Sequence, residues 1–203
     1  MIWPTLCVDN FFDEPDKIIE ISSDLDYETS KVYPGKRSID LHKKHPEFFA
    51  WVSNKIMSAL YPIEWPKITW HNSAFFQKVP SGLKNDGWVH QDPSCEFTAI
   101  IYLSKDVDAG TSIYLPKTFY KTSRTHVGGS VKDRDIHNSK FKETINLKGI
   151  FNRLVILDSH SLHAAHVNNS GKERLTLICF FSNVRSSIEH QQLKYIIPSI
   201  KRI

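Results

Sequence analysis

The sequence predicts an α+β domain in which N-terminal helices pack on one outer face of a small jelly roll made of two β-sheets. Apolar residues recur at helical spacing before residue 62, and from residue 68 onward they alternate with a period of two. About eight short β runs then follow one another, separated by turn residues. Helices followed by many short strands are typical of α+β folds in which a double sheet is covered by helices on one side.

The composition fits one globular domain. The chain has 203 residues, of which 40% are hydrophobic and 24% are charged, and this length is sufficient to bury a substantial core. Its three cysteines are not closely spaced, which favours free thiols in a reducing compartment. No apolar run approaches the roughly 18 residues of a membrane span, and the N-terminus lacks the features of a signal peptide. We therefore expect a soluble, cytoplasmic protein without a membrane partner.

Two helices are predicted in the N-terminal part. The first has Asp13 as its expected N-cap, with proline and acidic residues in the first turn. Its apolar residues at helical spacing are Ile18, Ile21 and Leu25. The second begins at Pro46 and ends before Pro62, with one apolar stripe made of Phe49, Val52, Ile56 and Leu60. Residues 33–37 form a turn between them, and residues 1–66 are expected to support the β core.

The β runs define the predicted core at residues 67–183. They cover residues 5–9, 68–76, 97–103, 111–115, 152–157 and 174–181, with a further short strand near His163. Residues 184–203 carry no clear pattern and are treated as a tail. The sequence therefore predicts a single domain with an N-terminal helical part, a β core and a tail.

Residues 118–146 interrupt this pattern. The stretch is polar, has little periodicity and is long for a loop in a compact domain, which suggests a lid or an insertion. From Lys117 to Lys148 the chain carries eight basic and three acidic residues, whereas the formal net charge of the whole chain is +4. This basic segment is either a solvated loop or an electropositive lip that attracts an anionic substrate or a nucleic acid.

Residue types that bind metals lie within the β region. His90 and Asp92 are two apart, so on a strand both side chains point to the same face. A second histidine-rich stretch follows at residues 158–166. Two histidines and one carboxylate can occupy one face of an octahedral iron(II) ion and leave other positions open. The alternatives are a hydrogen-bonded His–Asp pair at the surface and a site that includes Cys95, although O2-activating iron favours histidine and carboxylate ligands.

Arg174 opens the last apolar strand, and Thr176 follows on the same face. An arginine that faces inward needs an anion, because a buried unpaired charge is costly. Its guanidinium can bind a carboxylate in bidentate fashion. The alternative is a solvated arginine at the start of a strand. Together with the metal-binding residue types, an inward arginine predicts a redox enzyme.

The order of these motifs resembles that of the iron(II)- and 2-oxoglutarate-dependent dioxygenases, in particular the prolyl-4-hydroxylase-like branch. The motifs are His-x-Asp from residue 90, Tyr-Leu-Ser from 102, Gly-Thr-x-x-Tyr from 110, Leu-His-Ala from 162 and Arg-Leu-Thr from 174. The opening, at residues 8–16 and 33–38, is similar to small bacterial and phage-type members of that superfamily. The resemblance implies a double-stranded β-helix, which is a cupin-like jelly roll.

The resemblance also implies a metal site. His90, Asp92 and His163 would bind iron(II), because the Leu-His-Ala triplet at His163 and its spacing to the following arginine match the pattern best. His160 and His166 remain alternatives to His163, and a zinc site of three histidines is conceivable. O2 would take a position that these ligands leave open.

A co-substrate pocket follows from the same resemblance. Arg174 would pair with the distal carboxylate of 2-oxoglutarate, helped by the hydroxyl of Tyr102. Thr98 and Thr176 are further candidates for lining that pocket. The implied reaction is hydroxylation of a C–H bond with release of succinate and CO2.

The predicted substrate is a peptide or a small molecule. One alternative function is a jelly-roll recognition module that binds a metal without catalysis. Another is a nucleic-acid-directed oxidative demethylase, which rests only on the basic segment at 117–148. The sequence indicates no oligomeric state.

Overall fold

Two antiparallel sheets form the centre of the structure, a computed structural model that describes residues 3–30, 33–63, 65–82, 87–105, 109–118, 130–166 and 170–186. Within these ranges the α-helices are α1 (Pro15–Ser23), α2 (Leu41–Lys44), α3 (Pro46–Leu60) and α4 (Val131–Asn138), and a 3-10 helix spans Trp65–Lys67. The strands are β1 (Leu6–Val8), β2 (Tyr27–Thr29), β3 (Lys36–Ser38), β4 (Ile68–Val79), β5 (Phe97–Tyr102), β6 (Thr111–Pro116), β7 (Phe141–Leu147), β8 (Arg153–Asp158), β9 (His163–Ala165) and β10 (Arg174–Ser186). No helix in these ranges is long and apolar enough to cross a membrane.

Seven strands form the larger sheet, in the order β1-β8-β5-β10-β4-β3-β2. Its central strand is β10, which pairs with β5 on one side and with β4 on the other. Nearly every residue of β5 and β8 is buried, as expected for apolar strands that are covered on both faces. The strands predicted at residues 68–76 and 174–181 are present and extend further, to Val79 and Ser186.

One face of the larger sheet, called here the outer face, packs against the N-terminal helices. The outer residues of β10 are Leu175, Leu177, Cys179 and Phe181, which alternate with residues of the opposite face. They share one core with Val52, Ile56 and Met57 of α3. Phe97 and Phe181 stack in this core with ring centroids 4.5 Å apart. The structure thus places the helices on one face of a sheet, as predicted.

The first helix differs from its prediction by one residue at its start. Its N-cap is Glu14 and not Asp13, and no side chain caps this end. Pro15 occupies the first helical position, where its fixed φ and missing N–H are tolerated, so the residue before it becomes the cap. The longer helix α3 begins at Pro46 and ends at Leu60, as predicted.

Three strands form the smaller sheet, in the order β7-β6-β9. Leu147 of β7 packs with Ile113 of β6 against residues of the larger sheet, namely Tyr102, Val155 and Leu157. These partners lie on the face of the larger sheet that points away from the helices, called here the inner face. The predicted site residues lie between the two sheets.

The stretch expected as a loop contains regular structure. Both α4 and β7 lie within residues 130–147, whereas residues 119–129 lie outside the described part of the chain. Ser130 and Asp133 form a capping box at the start of α4. Strand β7 pairs with β6 along its length, but most of its residues are exposed, so it lacks the apolar alternation that would reveal a strand. A role of this stretch as a lid remains a prediction.

Asn152 fixes the N-terminal segment to the start of β8. Its backbone has a φ of 59°, a left-handed conformation that asparagine tolerates better than most residues. Its side-chain amide accepts a hydrogen bond from the backbone N–H of Phe12 (2.9 Å) and donates one to the carbonyl of the same residue (2.8 Å). Its own carbonyl accepts from the N–H of Phe11 (2.9 Å). The chain before α1 is therefore held against the larger sheet.

Replacing Asn152 with alanine is expected to lower the free energy of unfolding by about 2–4 kcal/mol. Two buried main-chain groups of Phe12 lose their partners, at about 1–3 kcal/mol each, and alanine tolerates a positive φ poorly. Asn152→Gly is the control, because it removes the same hydrogen bonds without the backbone strain, and it should lose about 1 kcal/mol less. Urea denaturation measures both variants; a loss below about 1 kcal/mol in Asn152→Ala would contradict the anchoring role.

Candidate metal centre

The backbone brings the three predicted metal ligands together. The segment at residues 87–92 runs antiparallel to β9, and His90 and His163 exchange two main-chain hydrogen bonds, of 3.0 and 2.9 Å. The N–H of Asp92 donates to the carbonyl of Ser159 (2.8 Å), just before β9. Residues that are distant in the sequence are therefore neighbours between the two sheets.

The side chains of these residues converge on one point. Nε2 of His90 lies 3.6 Å from Oδ1 of Asp92, and Nε2 of His163 lies 3.3 Å from Oδ2 of the same carboxylate. One potential ligand atom of each residue lies within 4.8 Å of the others. Neighbouring ligands of an octahedral ion at about 2.1 Å are about 3 Å apart, so a metal ion fits among the three with little movement.

Each imidazole is held in the tautomer that a metal needs. Nδ1 of His90 lies 2.7 Å from the carbonyl of Trp88, and Nδ1 of His163 lies 2.8 Å from the carbonyl of Ser161. A carbonyl only accepts hydrogen bonds, so each Nδ1 carries the proton and donates. The lone pair of each Nε2 is then free and directed at the common point, as is typical of metal-binding histidines.

The electrostatics favour a neutral His90 and an ionised Asp92. Burial lowers the pKa of His90, and the neighbouring His163 lowers it further. Burial alone would raise the pKa of Asp92, but the two histidines, whenever they are protonated, and the charge of Arg37 outweigh it and lower that pKa. A neutral imidazole and an ionised carboxylate are the forms that bind a metal.

The alternative histidines lie elsewhere. Nε2 of His166 lies 2.5 Å from Oγ of Ser112 and near Glu143 of β7. His160 is more than half exposed and lies beside Asp158. Neither histidine belongs to the group of metal-binding side chains that the described residues form, and Cys95 is also absent from it.

Arg174 is buried without a charged partner. It is 6% exposed, and its Nε has no hydrogen-bond acceptor. Among the described residues, its guanidinium makes one long hydrogen bond, from Nη1 to the carbonyl of Ala109 (3.4 Å), and no carboxylate lies within ion-pair distance of it. Burial lowers the pKa of Arg174, although Tyr102 opposes this effect. A buried guanidinium with spare donors is suited to an anionic ligand.

The other predicted pocket residues divide into two groups. Thr176 lies beside Tyr102 in the pairing of β10 with β5, and its buried hydroxyl also lacks a partner. The hydroxyl of Tyr102 bonds to Thr111 (2.9 Å), and burial raises its pKa, so it remains a donor. The hydroxyl of Thr98 instead bonds to Ser159 (2.8 Å), whose carbonyl accepts from the N–H of Asp92. Thr98 thus braces the metal side of the site.

Two inner-face residues were not predicted from the sequence. Arg37 of β3 pairs in register with Gln77 of β4, and its Nε donates to Oε1 of that glutamine (3.3 Å). Gln77 in turn lies opposite Thr176 of β10. The alternation of β4 would have placed Gln77 on the inner face, but residues 33–37 were interpreted as a turn, which hid the position of Arg37.

The fold has relatives among solved structures. HygX from Streptomyces hygroscopicus, with nickel, 2-oxoglutarate and hygromycin B bound, aligns with a TM-score of 0.62 at 10% identity and covers 88% of this chain and 82% of its own. An oxidoreductase of the 2OG-Fe(II) oxygenase family from Burkholderia pseudomallei gives 0.58 at 13% identity, with 91% and 88% covered. A prolyl-4-hydroxylase from Pseudomonas putida gives 0.51 at 13% identity, with 87% and 91% covered. At such identities the similarity establishes a shared fold.

Sequence comparison identifies one family. The profile described as a family of unknown function, DUF6445, matches residues 3–181. Among curated proteins, none matches this sequence.

Alanine replacement of His163 is expected to weaken the binding of Mn(II), a stand-in for iron(II), by at least about 100-fold, because one of three ligands is lost. His166→Ala is the matched control and should bind as the wild type does, since its imidazole contacts Ser112. The electron paramagnetic resonance signal of free Mn(II) measures both affinities. If the two variants lose the same Mn(II) affinity, or if His163→Ala loses none, His163 is not a metal ligand.

Proposed function

The chain belongs to the DUF6445 family, and we propose that it is an iron(II)- and 2-oxoglutarate-dependent dioxygenase with a double-stranded β-helix core. The observation that carries this proposal is the pairing of a metal-binding triad with a buried, unpaired arginine in one space between the sheets. A structural metal site would require the triad alone. The resemblance to the prolyl-4-hydroxylase-like branch and to its small bacterial and phage-type members is part of the same proposal.

The dimensions of the site suit a five-carbon dicarboxylate. Thr98, which braces the metal side, and Tyr102, which lies beside Thr176, are both on β5. Their positions are about 13 Å apart along an extended strand. A keto acid with a carboxylate at each end, together with the side chains that hold it, spans such a distance. The unpartnered Nε of Arg174 and hydroxyl of Thr176 supply donors for its far carboxylate.

The protein residues would bind, orient and exclude water. His90, Asp92 and His163 would hold the iron on one face, and Arg174 would hold the distal carboxylate with the hydroxyl of Tyr102 close by. When bound, iron(II) with 2-oxoglutarate and O2 supplies oxidation of a substrate C–H bond to an alcohol, with conversion of the keto acid to succinate and CO2. The apolar inner-face residues Val155, Leu157 and Ile178 are buried and keep water from the reacting atoms.

The substrate class that we propose is a small molecule or a peptide. Of the basic segment, residues 119–129 lie outside the described part of the chain, and Arg134 in its remainder forms an ion pair with Asp135. No contact among the described residues favours a nucleic acid. The alternative of a jelly-roll recognition module that binds a metal without catalysis is less favoured. It would leave the buried guanidinium of Arg174 without a partner.

Anaerobic mixing of the protein with iron(II) and 2-oxoglutarate is expected to produce a visible metal-to-ligand charge-transfer band, because the keto acid would chelate the bound ion. Asp92→Ala should lose the band and the succinate formed after O2 is admitted. Asp16→Ala, at an exposed carboxylate that pairs with Lys105, is the control and should retain both. Absence of the band in the wild type at millimolar keto acid would refute the proposed function.

Arg174→Gln is expected to raise the dissociation constant of 2-oxoglutarate by about 10- to 100-fold, since a charge-assisted pair is lost. Its affinity for Mn(II) should remain that of the wild type, because Arg174 would contact the keto acid and not the metal. Arg185→Gln, at an exposed arginine beside Glu96, controls for the loss of one positive charge. Unchanged keto-acid affinity in Arg174→Gln would exclude this arginine as the anchor.

A further inference from the structure

Arg37 shares the inner face with the proposed active site. Four residues on neighbouring strands are aligned across the sheet. Arg37 of β3 is opposite Gln77 of β4, and Gln77 is also opposite Thr176 of β10. Thr176 is in turn opposite Tyr102 of β5. Residues directly opposite each other in antiparallel strands point to the same face. The side chain of Arg37 therefore projects into the space between the sheets, from the side of β3 and β4.

The guanidinium of Arg37 is held by two rings and one amide. Its Cζ lies 4.3 Å from the ring centroid of Tyr33 and 5.5 Å from that of Phe180. Its Nε donates to Gln77 (3.3 Å), and the amide of Gln77 is itself fixed by donation to the carbonyl of Pro34 (2.7 Å). Stacking and the Nε hydrogen bond orient the guanidinium plane and leave its two Nη groups available.

Those Nη groups have no acceptor among the described residues, and no described carboxylate lies within ion-pair distance of Arg37. Phe180, over whose ring the guanidinium lies, is directly opposite Thr98 of β5. Thr98 bonds to Ser159, whose carbonyl accepts from the N–H of Asp92. The register therefore places Arg37 on the side of the inner face where the candidate metal ligands lie, so a molecule bound beside them can reach it.

The inner face carries an excess of positive charge. Four arginines of β3, β8 and β10 share this face by register. Arg153 pairs with Asp9 and Arg185 pairs with Glu96, so Arg37 and Arg174 are the two that lack a carboxylate partner among the described residues. With a divalent ion bound and the histidines neutral, the ion and these two guanidiniums carry four positive charges, and Asp92 carries one negative charge. The net charge of the site is then about +3. A dianionic keto acid would lower it to about +1, so one monoanionic group would balance the site.

We propose that Arg37 binds the carboxylate of the primary substrate, which is therefore a small carboxylic acid. This inference rests on the proposed function and extends it to the substrate class. The two Nη groups present the fork that matches a planar carboxylate. A phosphate dianion would leave an excess negative charge next to Asp92. Bound in this way, the substrate has its carboxylate at the β3 side and its carbon skeleton toward the metal.

The test uses the Nε–H resonances of arginine in 15N-labelled protein loaded with Zn(II), with and without 2-oxoglutarate. The probes are acetate, N-acetylglycine and benzoate, each beside its uncharged amide. We expect at least one carboxylate to shift the Arg37 resonance saturably, with an affinity at least about tenfold above that of its amide. Arg37→Gln should lower the affinity of the protein for that carboxylate by at least about tenfold, and Arg185→Gln should leave this affinity unchanged. Melting curves of both variants check that they fold.

Three results would overturn the inference. If carboxylates and amides act alike, or if Arg37→Gln still binds the carboxylate, Arg37 is not its site. If Arg37→Gln instead lowers the affinity for 2-oxoglutarate, the arginine binds the carboxylate of the co-substrate that lies near the metal. Failure of the proposed function has a separate readout, since the wild type would then show no charge-transfer band, whereas the titration without 2-oxoglutarate would still report on Arg37.

Discussion

The whole site depends on two main-chain hydrogen bonds that join His90 to His163. They attach the segment at residues 87–92 to β9 and so complete the smaller sheet on the side where the candidate metal ligands lie. The backbone sets the distance between the two imidazoles, and the carbonyls of Trp88 and Ser161 set their tautomers, so the candidate ligands are arranged without a bound ion. Arrangement of this kind reduces the reorganisation that metal binding would otherwise require.

Charge organises the space between the sheets as much as shape does. Burial makes each guanidinium on the inner face costly, and neither Arg37 nor Arg174 has a described carboxylate partner. The cost is offset when ligands bring the opposite charge. Under the proposed function, such ligands account for the two arginines on this face that lack a described carboxylate partner, Arg37 and Arg174.

The sequence predicted the fold class and the long elements well, because α3, β4, β5 and β10 carry strong apolar periodicity. It failed where that signal is absent. Strand β7 is exposed along most of its length, and β2 and β3 are three residues long with polar sequences, so neither apolar alternation nor length marks them. The short helix α2 was missed for the same reason.

The site residues show the same division. His90, Asp92 and Arg174 belong to recognisable motifs, and the structure places His163 beside the first two. Arg37 was missed because its position on the inner face depends on the pairing of β3 with β4, which is a contact between distant parts of the chain. Local pattern carries no information about such a partner. The role of the basic segment at residues 117–148 remains a prediction, because much of the segment lies outside the described residues.

The strand order has a consequence for how the protein is made. Strand β10 comes after every other described strand in the chain but occupies the middle of the larger sheet, between β5 and β4. Without β10, this strand order leaves two groups of strands, β1-β8-β5 and β4-β3-β2, that share no edge. The same strand begins with Arg174. A chain that lacks β10 would therefore have neither a continuous larger sheet nor Arg174. Under the proposed function, such an incomplete chain could not bind the keto acid and would remain inactive.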